Sequence, residues 1–129
     1  MPIAAVFEEP RTFVVTCTGD VSYEEASAVI AEMAAHPRLA KGVNMLADCR
    51  EVTGAPSTVE LRRLAGELRP LLTRTGGGVA IVTSELWVYG IARMFAVFAE
   101  LANARVQAFR DMYEARSWLA AADRGGNAG

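Results

Sequence analysis

Two short runs, VNMLADC (43–49) and GVAIVTS (78–84), are apolar almost without a break. Each has the length of a strand, and a strand that is apolar on both faces belongs inside a sheet covered from both sides. Between them lies STVELRRLAGELRPLL, in which Leu61, Leu64, Ala65 and Leu68 recur at helical spacing. Two inner strands joined through an amphipathic helix imply a parallel pair with a crossover connection, the β-α-β unit. That unit constrains everything else the chain can do.

The flanking segments extend the pattern. IAAVFE (3–8) and RTFVVTCT (11–18) read as two strands joined at EEPR, with Phe13, Val15 and Cys17 on one face and Val14, Thr16 and Thr18 on the other. Ser22 and Glu25 form a capping box at the start of a helix whose stripe is Ala26, Val29, Ile30 and Met33, and Pro37 ends it. Ser57 and Glu60 repeat the box before the second helix. A third helix covers 86–101, ARVQAFR (104–110) is a strand, and Asp111 caps a final helix over 111–122. The expected fold is α/β, one domain over residues 1–122 with the order ββαβαβαβα. It has a mostly parallel mixed sheet of about five strands and four helices, and residues 123–129 form a flexible C-terminal tail.

Composition removes several function classes. At 129 residues and 52% hydrophobic content, the chain is one domain that can fill its core without a disulfide or metal staple. A net charge of −2 gives no nucleic-acid footprint. The N-terminus lacks a secretory leader, so a cytoplasmic location with Cys17 and Cys49 as reduced, buried thiols is expected. His36 is the single histidine, which argues against a His-built metal site, and no cofactor is implied. Gly76–Gly78 precede a strand, whereas a phosphate loop needs glycines between a strand and a helix. No paired carboxylates or nucleophile-base set stands out, so no enzyme is expected.

In an open parallel sheet, ligands meet the loops at the carboxyl ends of the strands. Those loops offer Asp48, Cys49, Arg50, Ser57, Thr58, Thr83, Ser84, Arg110 and Asp111. The segment SELWVYGIARMFAVFAEL (84–101) is nearly all apolar, yet its uncharged stretches fall short of the roughly 20 residues that span a bilayer. Around a helix, Glu85, Tyr89, Arg93, Ala96 and Glu100 form a polar stripe roughly 80° wide. The remaining arc is about twice what a helix on a sheet requires. A second cover is therefore expected over Trp87, Gly90, Met94 and Phe98: a neighbouring helix, the other subunit of a homodimer, or an apolar ligand. Tyr89 and Arg93, four residues apart, are candidates for an anion or partner contact together with Thr83, Ser84 and Arg110.

LADCREVTGAPSTVELRRL resembles the STAS domains, which include bacterial anti-anti-sigma factors. The order of helices and strands resembles the STAS order over about residues 3–122, and VYGIARMF followed by VQAFRDMYEARSWL is similar, more specifically, to the SpoIIAA-like family of that group. The resemblance implies a non-catalytic regulatory module that works through protein–protein contacts. It also implies a possible phosphate switch at Ser57, beside Thr58 and the strand-end Asp48. Pro56 and Val59 stand where the family motif has aspartate and glycine, and Ser57 also reads as a plain N-cap. The relation of STAS domains to SEC14-type lipid-binding domains makes a small apolar or lipid-like ligand the alternative.

Overall fold

A computed structural model describes the backbone of residues 3–128 and the side chains of residues 3–121. Strands β1 (Ile3–Glu8), β2 (Thr12–Asp20), β3 (Asn44–Gly54), β4 (Val79–Val82) and β5 (Val106–Phe109) alternate with helices α1 (Tyr23–Ala34), α2 (Thr58–Thr75), α3 (Leu86–Leu101) and α4 (Met112–Ala128) in the expected order. The five strands lie in the sheet in sequence order; β1 and β2 are antiparallel and the other pairs parallel. The helical backbone of α4 continues past residue 122, where the sequence pattern ends it.

The layering follows from connectivity. Parallel crossovers are right-handed. Three successive crossovers that step across the sheet in one direction therefore place α1, α2 and α3 on the same face. Residue parity in the strands agrees: Phe13, Val15, Met45, Val79 and Ile81 pack under these helices, while Leu46, Ala80, Val82 and Phe109 turn the other way against Ala115 and Leu119 of α4. That second cover spans β3–β5, and Val6 on β1 is left exposed.

Both capping boxes form: Ser22 with Glu25, and Ser57 with Glu60. The triple glycine has a structural role instead of phosphate binding. Gly76 ends α2 in the left-handed conformation, φ 67°, and its N–H donates to the Leu72 carbonyl. A Cβ on Gly77 would lie 2.0 Å from the Val43 carbonyl oxygen, so only glycine fits against that backbone. Glu67 accepts hydrogen bonds from Ser27, at 2.5 Å, and from Tyr23, clasping α1 to α2.

Candidate functional site

The carboxyl end of the sheet departs from the sequence expectation. Residues 50–54, which read as loop, continue β3 and pair with β2 through Thr18↔Glu51, Gly19↔Val52 and Asp20↔Gly54, with two register shifts. β4 leaves β3 at Asp48↔Val82, and the described β1 begins opposite Cys17. The last residues of β2 and β3 therefore project past their neighbours as a two-stranded ribbon. Val21 and Val52 are nonetheless buried, at 7% exposure each, because the ribbon folds over apolar space.

That space is a cavity of about 180 Å³ between the sheet and the three helices. Its wall is almost wholly apolar. Met45 and Ile81 form part of its floor, Leu64 and Val88 part of its helical side, and Val52 and Pro56 part of its rim. Small side chains explain why it stays open: Cys17, Ala26, Ala47, Cys49, Ala55 and Ala92 face it. Ala47 and Cys49 lie on the central strand beneath helices, yet both are only half-buried. A central position packed on by helices is ordinarily closed off, so their partial exposure marks the opening of the cavity.

On the opposite, α4 side, the same edge is polar. Asp48 accepts a bidentate pair from Arg50, Nε at 2.9 Å and Nη2 at 2.8 Å. That bond to Arg50 holds the Asp48 carboxyl below its usual range. The Ser84 hydroxyl donates to the Arg50 carbonyl at 2.8 Å, and Arg110 reaches the Ser84 carbonyl at 3.4 Å. Asp48, Ser84 and Arg110 are thus drawn together. Thr83 is not available as a contact: it is fully buried and its hydroxyl faces the Phe109 carbonyl at 3.3 Å. Ser57 and Thr58 are exposed at the start of α2, directly after the cavity rim at Ala55 and Pro56.

The faces of α3 separate clearly. Val88, Ala92 and Ala99 are buried, and Ile91 and Phe95 join Val88 and Ala92 in the cavity wall. α2 covers part of the remaining arc, with the Arg62 guanidinium 5.0 Å from the Phe98 ring centroid. Met94 is half-buried, but Leu86, Trp87, Val97 and Leu101 stay exposed, from 46% to 80%. Gly90 is exposed too, and among the described residues nothing beyond its chain neighbours and its own helical backbone comes within 4 Å of where its Cβ would be. Arg93 lies 6.0 Å from the Tyr89 ring centroid, the outer limit of a cation–π contact.

Among the described residues, no group of three or more His, Cys, Asp or Glu could hold a metal ion, and no helix is long and apolar enough to cross a membrane. A family model described as SpoIIAA-like matches residues 12–120. The chain belongs to the SpoIIAA-like family. An uncharacterised protein of Shewanella loihica PV-4 with a SpoIIAA-like fold superposes with a TM-score of 0.59 at 17% identity, over 91% of both chains. No curated protein matches the chain. For this SpoIIAA-like domain, the residues that sequence reasoning overlooked are the cavity liners Cys17, Ala47, Val52 and Ala55. Their signal was present: inward positions on β2 and β3 change from Phe13 and Met45 to Cys17, Ala47 and Cys49 toward the carboxyl edge.

Proposed function

We propose that this SpoIIAA-like domain is a non-catalytic binding module that takes a small apolar molecule, or the apolar end of a larger one, into the cavity under α1–α3. The observation that carries this reading is the nearly polar-free wall of a void of about 180 Å³ at the carboxyl edge of a parallel sheet. An engineered apolar cavity of about 150 Å³ stays dry and accepts benzene, so this one suits a ring or a short run of carbons. At about 0.8 kcal/mol per buried CH2, an occupant of some six carbons gains about 5 kcal/mol, which alone supports near-millimolar affinity. Tighter binding requires the rest of the molecule to touch the rim, where Ala55 and Pro56 lead into the exposed start of α2. Native mass spectrometry of protein purified from its own host tests the proposal. An adduct lost on organic extraction is expected, and protein that emerges bare and takes up no apolar probe contradicts it.

A second reading, association through α3, is favoured by the exposed Leu86, Trp87, Val97 and Leu101. A homodimer through that face, presenting a regulatory protein-contact module, predicts a concentration-dependent sedimentation coefficient at micromolar protein. Val97→Asp should abolish that dependence. A monomer indifferent to the substitution removes this reading. The phosphate switch has less support, since the Ser57 hydroxyl is already engaged with the Glu60 N–H at 3.2 Å.

A further inference from the structure

One pair of side chains in the cavity wall can do more than line an apolar space. Cys17 and Cys49 project from adjacent parallel strands toward the same void. The register runs Val15↔Ala47 and Thr16↔Asp48, which brings the two cysteines side by side at the next step, where the first register shift begins. Both are free, and each thiol's strongest electrostatic influence is the other. Neighbouring strands lie about 4.8 Å apart, inside the roughly 4.4–6.8 Å that a disulfide spans between Cα atoms.

We propose that Cys17 and Cys49 are a redox-closable dithiol that pins the base of the β2–β3 ribbon. The location gives the bond its consequence. Beyond the pair, no third strand pairs with the ribbon among the described residues, and the Ser84 bond to the Arg50 carbonyl is a side tie at its base; yet the ribbon carries Val21, Val52, Gly54, Ala55 and Pro56 over the cavity. A covalent link at the register shift fixes this rim to the sheet floor. The oxidant is a hydroperoxide. The sulfur of one cysteine attacks the peroxide oxygen, the O–O bond breaks, and water or an alcohol leaves a sulfenic acid. The second sulfur then displaces water, its proton leaving with that water, and the S–S bond forms. Either cysteine can supply the first attacking sulfur, since both face the void.

Closure of the pair is independent of whether a ligand fills the cavity, so the two ideas fail separately. The folded wild-type protein is treated with stoichiometric hydrogen peroxide, quenched, denatured and read by intact mass and thiol titration. The expected result is loss of two hydrogens and of both titratable thiols, with no change in chain association and full reversal by dithiothreitol. Cys17→Ala and Cys49→Ala each remove that product. Two thiols that remain free, oxygen added to each cysteine separately, or a disulfide found only between chains overturns the proposal. Hydrogen exchange on the closed protein then reads the pinning: slower exchange across 18–21 and 51–56 is expected, and unchanged exchange removes that half. Uptake of an apolar probe by the reduced protein tests the cavity on its own.

Discussion

One sheet carries two different cores. On the α4 side, Leu46, Ala80, Val82 and Phe109 meet Ala115 and Leu119, and Trp118 closes over Phe109 with ring centroids 5.7 Å apart. On the other side, three helices cover a larger area but leave a void of about 180 Å³. Both sides use the same strands, so the backbone alone does not make the difference. Side-chain size on alternate residues does. Leu46 and Ala47 are neighbours on β3; Leu46 is fully buried against α4, while Ala47 faces a half-open space. The α1–α3 side holds the larger cluster of buried residues and still leaves a void, whereas the α4 side closes with fewer.

The largest effect should come from shaving the filled side. Leu46→Ala leaves a new hole where none existed and should cost about 3–4 kcal/mol in urea unfolding. Leu64→Ala, which widens a space already present, should cost nearer 2 kcal/mol. Equal costs would break the comparison. Adding volume should invert the order. Ala80→Val is expected to destabilise by about 1–3 kcal/mol through overpacking, whereas Ala47→Val should be neutral or stabilising because its methyl groups enter the void.

Smaller effects test the frame around the hollow side. Tyr23→Phe removes one bond of the Glu67 clasp between α1 and α2 and should cost about 1 kcal/mol. The Ser27 and Tyr23 hydroxyls hold the Glu67 carboxyl below its ordinary value of 4.5. A carboxyl lowered in the folded state stabilises the fold above that ordinary value, and the contribution disappears as pH falls through the lowered one. Wild type and Glu67→Gln should therefore differ at neutral pH and converge in acid; a pH-independent gap would show that the clasp is not ionic. Least of all, Gly90→Ala should raise stability by up to about 1 kcal/mol, since it adds helix propensity into open space. If it instead lowers stability in proportion to lost self-association, α3 packs closely on another chain.

The elements were legible because local signals agreed with tertiary ones. Both capping boxes, the apolar runs at 43–49 and 78–84, and the inward alternation of Phe13, Val15 and Cys17 all reappear in the fold. The β3 extension was not legible. Arg50 to Gly54 has the polarity of a loop and becomes strand only because β2 supplies a long partner. The excess apolar arc of α3 was legible, but not how it divides, because α2 reaches Phe98 and leaves Val97 and Leu101 bare. The cavity was hidden for a different reason. It arises where small residues from β2, β3, α1 and α3 coincide in space, and no one segment shows the sum.

The central claim is that the hollow side is a ligand site. Calorimetric or fluorescence titration of an apolar probe into wild type and Ala47→Leu tests it most directly. Saturable one-to-one binding to wild type is expected, with at least a tenfold loss when the leucine fills the void and the fold intact by circular dichroism. Equal binding by both proteins, or none by either, would contradict it.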